Sequence, residues 1–113
     1  MRSIMLLLAA LIAACPGIAA MAADPNNPVN ERLLAAPPDE QAEVLTKGIK
    51  GCAGTSAFPM GVTTSGKAKG FAYWSVRCQD GRSFAVQIAP DAKMAVVDCK
   101  ALEGSGKECF KKF

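Results

Sequence analysis

Cysteines are the residues in this sequence whose chemistry is most distinctive. The 113-residue sequence contains five cysteines and no histidine. Four of the cysteines are spaced far apart along the chain: Cys52, Cys78, Cys99 and Cys109. They lack the close C-x-x-C pairs of thiol redox enzymes and structural zinc sites, so the sequence predicts neither a metal nor a cofactor. An even set in a small exported chain instead indicates a disulfide framework with three possible pairings.

The absence of histidine also limits what an active site could contain. Neither a Ser-His-Asp nor a Cys-His arrangement can be built without an imidazole. Carboxylate chemistry remains open, but the acidic residues of the second half fall in turns or exposed positions: Asp80, Asp91, Asp98, Glu103 and Glu108. Solvation is the ordinary state of such side chains. We therefore expect no catalytic residue, and a histidine-independent enzyme is the less favoured alternative.

The first 22 residues have the three parts of a cleavable secretory signal peptide. Arg2 supplies the positive charge, 4–14 form an apolar run, and Ala20-Met21-Ala22 is an A-x-A cleavage site that would leave Ala23 as the mature N-terminus. A run of about eleven apolar residues is too short to span a bilayer as a helix. The sequence thus predicts a bacterial exported protein, periplasmic or secreted, with no transmembrane span in the mature chain.

A second interpretation of the same segment is lipidation. Residues 12–15, Ile-Ala-Ala-Cys, resemble a bacterial lipobox, in which Cys15 would carry the lipid and anchor the domain to a membrane. Four cysteines remain in either case, because Cys15 is either removed or modified. Pro16 directly after the cysteine and the downstream A-x-A site favour simple cleavage.

Composition changes twice along the mature chain. Residues 23–38 are rich in proline and asparagine and show no sustained period, which predicts a flexible leader ahead of one domain at 39–113.

From Asp39 the pattern predicts a helix over 39–50, because acidic residues lie near its start and lysines near its end. An apolar stripe runs along this helix: Ala42, Leu45 and Ile49. A Gly-, Ser- and Thr-rich segment, 51–70, then predicts a loop with room for a short strand at 61–64.

Three runs rich in β-branched and aromatic residues follow, separated by turn residues. They cover Phe71–Cys78, Ser83–Ile88 and Met94–Cys99, and they predict an antiparallel meander. The fold class is therefore α+β: one N-terminal helix packed on a small three- or four-stranded antiparallel sheet stapled by disulfides.

The register of the first hairpin follows from the alternation of its side chains. A three-residue loop, 79–81, sets Trp74 opposite Val86 and Val76 opposite Phe84, so that the apolar residues share one face. That face should be buried under the helix. The other face should be wet, and its aromatic and arginine residues form a possible binding face: Phe71, Tyr73, Arg77 and Arg82. The favoured alternative is that Phe71 and Tyr73 only cover the edge of the core.

The meander restricts the disulfide pairing. Cys78 and Cys99 end strands that lie two spacings apart, roughly 10 Å, which is beyond the reach of a disulfide, roughly 7 Å. The sequential pairing, Cys52–Cys78 with Cys99–Cys109, and the crossed pairing remain. The sequential pairing is favoured because the glycines at 104 and 106 let the chain fold back. Loop entropy gives about 3.5 and about 2.8 kcal/mol for its two bridges.

Charge and sequence similarity add little about partners. Lysines and arginines are spread singly, apart from Lys111 and Lys112, which predicts an ordinary solvated surface and no nucleic-acid binding. The segment 73–82, with 89–91 and 97–99, resembles small uncharacterised exported proteins of proteobacteria, and the resemblance implies no known activity.

The sequence favours a non-catalytic structural or binding protein, whose partner could be another envelope protein. A secreted effector or inhibitor and a lipid-tethered protein are the alternatives.

Overall fold

The computed structural model describes residues 27–113, so the predicted signal peptide, its cleavage site and Cys15 lie outside the described residues. Three helices and four strands follow one another within these residues. They are α1 Pro28–Ala35, α2 Pro38–Thr46, β1 Gly54–Val62, β2 Ala72–Cys78, β3 Ser83–Ile88, β4 Met94–Asp98 and α3 Cys99–Glu103. The strands form one antiparallel sheet in the order β1-β2-β3-β4. The predicted α+β class and meander are confirmed.

The β2–β3 hairpin has the predicted register. Trp74 pairs with Val86, and Val76 pairs with Phe84. The Cys78 N–H donates to the Arg82 carbonyl at 2.8 Å, which closes a three-residue loop. Gly81 lies in that loop with a φ of 93°, a left-handed conformation that glycine adopts without steric cost.

The β3–β4 turn repeats this construction. The Ala89 N–H donates to the Lys93 carbonyl at 2.8 Å, and Ala92 occupies the left-handed position with a φ of 81°. In both loops an aspartate accepts a hydrogen bond from the N–H two residues ahead: Asp80 from Arg82 at 3.0 Å and Asp91 from Lys93 at 3.1 Å. Local side-chain bonds of this kind stabilise tight turns.

Part of the predicted flexible leader is a helix. In α1 the Asn27 side chain caps the helix by accepting from the Asn30 N–H at 3.2 Å, and Pro28 occupies the first turn. Leu33 is buried in the core. The expectation of no regular structure at 28–35 is therefore wrong, because an asparagine cap and one buried leucine dock the segment on the sheet.

The second helix is shorter than predicted. It ends at Thr46 rather than at residue 50, and a turn follows that contains Gly51 at a φ of 72°. Ala42 and Leu45 are buried as the apolar stripe predicts. Helix α2 also lies close to β1, since a Cβ at Gly54 would stand 2.6 Å from the Ala42 carbonyl oxygen.

The region predicted as a loop contains the longest strand. Strand β1 runs for nine residues and pairs with the whole of β2. Its register shifts twice, between Gly54 and Ser56 and between Pro59 and Gly61. These irregularities and its Gly-, Ser- and Thr-rich composition explain why no alternating pattern marks it.

Helices α1 and α2 cover one face of the sheet, here called the helical face. The core beneath them contains Leu33, Leu45, Ile49, Ala72, Trp74, Val76, Val86 and Ile88. Trp74 is 0% exposed, and its indole Nε1–H donates to the Asn30 Oδ1 at 2.7 Å. The predicted burial of Trp74 on the helix-facing side is confirmed.

The opposite face of the sheet is also partly covered by protein rather than fully exposed to solvent. A second apolar cluster of Met60, Ala85 and Leu102, with Phe58, Tyr73, Val97 and Cys109 against it, lies there. Helix α3 and residues 104–113, here called the tail, cover this cluster. The prediction of one buried and one wet face is corrected: the tail brings aromatic residues that show no helical or strand period and that cover much of the sheet.

Both disulfides follow the sequential pairing. Cys52 is bonded to Cys78 with Cα atoms 5.0 Å apart, and Cys99 is bonded to Cys109 with Cα atoms 5.8 Å apart. The first bridge joins the segment after α2 to the end of β2. The second closes a ten-residue separation and holds the tail against α3.

Candidate functional site

The tail is fixed on the sheet at three places. The Cys99–Cys109 bridge holds its middle. The Phe110 N–H donates to the Ser75 Oγ at 2.8 Å, and Ser75 is itself fully buried in β2. The Phe113 N–H donates to the Met60 carbonyl at 3.0 Å. These contacts give the tail a defined position without regular secondary structure.

Cationic side chains lie over aromatic rings along this surface. The Arg77 guanidinium is 4.7 Å from the centre of the Phe110 ring, the Lys107 ammonium is 4.9 Å from that of Phe113, and the Lys112 ammonium is 5.7 Å from that of Phe58. Distances within about 6 Å favour cation–π attraction. We define the tail face as the cations and rings that line this surface: Phe58, Arg77, Lys107, Phe110, Lys111, Lys112 and Phe113.

The two faces of the sheet differ in charge. The tail carries three lysines and one acidic residue, Glu108, which pairs with Lys111 at 3.3 Å. Arg77 of β2 adds a fourth cation beside them. The helical segment 28–50 carries four acidic residues and three basic ones, Arg32, Lys47 and Lys50. Positive charge is therefore concentrated at the tail face, whereas the helical segment is close to neutral.

The predicted binding face is divided by the fold. Tyr73 and Arg77 lie on the tail side, where Tyr73 contacts Phe113 with ring centres 5.5 Å apart. Phe71 lies just before β2 and is half-buried. Arg82 lies on the helical side, since it donates to the Gly51 carbonyl at 3.0 Å and stacks over Phe84 at 5.6 Å. The three-residue loop places Arg82 opposite Cys78, on the helical face. The four residues therefore do not share one surface.

The carboxylates of the second half have local structural roles. Asp98 caps α3 by accepting from the Lys100 N–H at 2.8 Å. The pKa of Asp80 is lowered by the Arg82 backbone N–H and by the Arg82 guanidinium, whose Nε lies 2.7 Å from the carboxylate. The Asp80 carboxylate therefore favours the folded state above its ordinary pKa, and this contribution is lost as the pH falls through the lowered value.

Sequence reasoning identified Arg77, and Tyr73 on the same side of β2, but not the remainder of the tail face. The available signal was composition: residues 107–113 contain three lysines and two phenylalanines around Cys109. The spacing of these lysines and phenylalanines follows neither a helical nor a strand period, so it does not indicate that they pack on the sheet. Among residues 27–113 there is no cluster of three or more potential metal ligands. No helix in this part of the chain is long and apolar enough to cross a membrane.

Comparisons with family models, curated proteins and solved structures find no match to this chain.

Proposed function

We propose that this chain is an exported, non-catalytic binding protein that docks on an anionic lipid surface through its tail face. The observation that supports this proposal most directly is the row of cations held over aromatic rings at Arg77, Lys107 and Lys112. Export is supported by the N-terminal sequence pattern and is compatible with the two disulfides.

An anionic lipid surface matches the chemistry of this face. Each lysine or arginine near such a surface contributes about 1 kcal/mol. The Phe113 side chain is 52% exposed among these cations, and aromatic rings beside lysines suit the boundary between headgroups and acyl chains. The helical segment, whose charges nearly balance, would point away from the lipid, so the uneven charge distribution also orients the molecule.

Vesicle co-sedimentation tests the proposal. The full chain, purified with both disulfides formed, is mixed with vesicles of phosphatidylglycerol and phosphatidylethanolamine or with neutral phosphatidylcholine vesicles. We expect binding to the anionic vesicles only, weakening as salt is added. The triple variant Lys107→Gln, Lys111→Gln, Lys112→Gln should lower the partition constant at least tenfold.

A matched control removes three charges from the other side of the molecule. Arg32→Gln, Lys47→Gln, Lys50→Gln changes the net charge equally, and all three positions are exposed. This variant should bind within about twofold of the unmodified chain if only charges close to the surface count, as screening requires. Equal losses in both variants would show that net charge alone governs binding, and no binding to anionic vesicles would refute the proposal. Binding to dextran sulfate but not to vesicles would identify a soluble polyanion as the ligand instead.

A further inference from the structure

The tail encloses an open cavity, here called the tail cavity. It has a volume of about 390 Å³ and is lined by Gly106, Lys107, Glu108, Lys111, Lys112 and Phe113. Volumes of about 300–1,000 Å³ are typical of sites for small ligands. Three of the lining residues are lysines and one is a glutamate, so the side chains around the tail cavity sum to a charge of +2.

The Phe113 ring forms one wall of the tail cavity, and the sheet fixes its position. The Phe113 N–H donates to the Met60 carbonyl, and the ring centre lies 5.5 Å from that of Tyr73. The ring also lies directly against β1, since a Cβ at Gly61 would stand 2.9 Å from Phe113 Cδ2. The Lys107 ammonium, 4.9 Å from the ring centre, is therefore held against a fixed wall.

The lysines of the tail cavity are only partly neutralised. Lys111 pairs with Glu108 at 3.3 Å. Within residues 27–113, no salt bridge involves Lys107 or Lys112. Lys107 is also half-buried, and withdrawing an ammonium group from water costs free energy unless a counter-charge compensates. An anion bound in the tail cavity would supply that counter-charge.

The charge and the donors of the tail cavity match a phosphomonoester. Such a group carries a charge of about −1.5 to −2 at pH 7 and three acceptor oxygens, whereas a phosphodiester carries a single negative charge. All three cations that line the tail cavity are lysines. Lysines act on phosphate as point charges with rotatable donors, whereas planar carboxylates are matched by the fork of an arginine.

We propose that the tail cavity binds the phosphomonoester headgroup of an anionic lipid. Lys107 and Lys112 donate to the phosphate oxygens, and the exposed part of the Phe113 ring contacts the adjoining glycerol. The tail cavity thereby adds a headgroup site to the diffuse attraction of the tail face, and in this respect it rests on the proposed function.

Vesicles of matched surface charge test for such a site. The full chain, with both disulfides formed, is mixed with phosphatidylcholine vesicles that contain phosphatidic acid or twice the mole fraction of phosphatidylglycerol. We expect at least about fivefold tighter binding to phosphatidic acid, because only this lipid carries a phosphomonoester. Equal binding to both would overturn the headgroup site and leave the proposed function standing, whereas binding to neither would refute the proposed function.

Single variants locate the preference within the tail face. Lys107→Gln should abolish the preference for phosphatidic acid, whereas Lys100→Gln, the same charge change at an exposed residue of α3 outside the cavity, should retain it. Glu108→Gln frees Lys111 and should tighten binding to phosphatidic acid at least about twofold. Its control, Glu40→Gln, removes an exposed carboxylate from α2 and should leave that binding unchanged. Equal effects of a variant and its control would overturn the headgroup site.

A soluble probe separates a lipid headgroup from a free phosphate ester. The full chain is titrated with glycerol 3-phosphate, a phosphomonoester, or with dimethyl phosphate, a phosphodiester, and backbone amide shifts are followed by NMR. Saturable shifts of amides 106–108 and 111–113 are expected with glycerol 3-phosphate only, and Lys107→Gln should remove them. Native Trp74 fluorescence confirms folding of each variant.

Two results of this titration would overturn the proposal. Equal shifts with dimethyl phosphate, or shifts that Lys107→Gln leaves unchanged, would exclude a phosphomonoester site in the tail cavity. Saturable binding of glycerol 3-phosphate without any preference for phosphatidic acid would show that the phosphate comes from a soluble ester and not from a lipid.

Discussion

The two layers that enclose the sheet stabilise it by different means. The helical face is an apolar core in which Trp74 and Leu45 are almost fully buried, and the Trp74 indole N–H donates to the Asn30 amide oxygen. The tail face has a smaller apolar cluster, centred on Met60 and Leu102. Its margin consists of cations over rings, and a disulfide holds it in place.

This difference indicates a division of roles. Burial of apolar area contributes most of the stabilising free energy in small domains, and the helical face contains most of that area. Cation–π contacts at exposed sites contribute only about 0.5–1 kcal/mol each. The charged groups of the tail can therefore meet a partner at little cost to the fold, whereas the helical face cannot be altered without loss of stability.

The strongest test of this comparison is Trp74→Ala. Removing a fully buried tryptophan from the helical face should lower the free energy of unfolding by about 3–5 kcal/mol, enough to unfold a domain of this size. Circular dichroism during denaturant titration measures the change. The variant Trp74→Phe should lose less stability than Trp74→Ala, because it retains much of the apolar volume. It still leaves the Asn30 amide oxygen without its donor. A stable Trp74→Ala protein would show that the helical face is not the main core.

A smaller effect is expected from removing the bridge of the tail. The double variant Cys99→Ala, Cys109→Ala should lower stability by up to about 2.8 kcal/mol through loop entropy. Exchange of tail amides such as that of Phe110 should accelerate, while Trp74 remains buried. Hydrogen exchange followed by mass spectrometry distinguishes this local release from global unfolding.

The matched variant for this test lacks the other bridge. Cys52→Ala, Cys78→Ala removes a bridge of larger sequence separation, whose Cys78 is buried at the end of β2. We expect a loss of about 3.5 kcal/mol together with faster exchange across the whole sheet. If both double variants unfold globally, the tail is part of the core and the proposed division of roles is wrong.

The smallest effect is expected at Arg77. Arg77→Gln removes the guanidinium from the Phe110 ring and should change the free energy of unfolding by less than about 1 kcal/mol. Denaturant titration at low and high salt checks this value. A loss well above that limit would mean that the cations of the tail face are needed for folding rather than left free for binding.

Side-chain alternation made the centre of the sheet predictable. The β2–β3 register followed from placing Trp74 and Val86 on one face, and the sequential disulfide pairing followed from the distance between strands. Strand β1 was not predictable, because its two glycines and its proline have little strand propensity and its pairing with β2, which shifts register twice, determines its conformation. Helix α1 had a readable signal, an asparagine cap before Pro28, but its proline-rich surroundings suggested an irregular segment.

The candidate site was less predictable than the fold. Arg77 and Tyr73 could be assigned to one face of β2 by alternation alone. The cations and rings that accompany them belong to a tail with no period, and its position depends on a bridge and two hydrogen bonds. Arg82 was misplaced because a residue that closes a three-residue loop takes the face of its partner, Cys78, rather than that of Arg77.

The bonds of Asn27 have a consequence for the order of folding. Its side-chain amide donates to the carbonyls of Gly70 at 2.8 Å and Ile88 at 2.9 Å, residues 43 and 61 positions later in the chain. Because synthesis proceeds from the N-terminus, these acceptors do not exist when Asn27 is made, and contacts of such separation form slowly. Asn27 can therefore reach its final position only after β3 is complete. Until that moment the Trp74 indole lacks the cover that α1 provides.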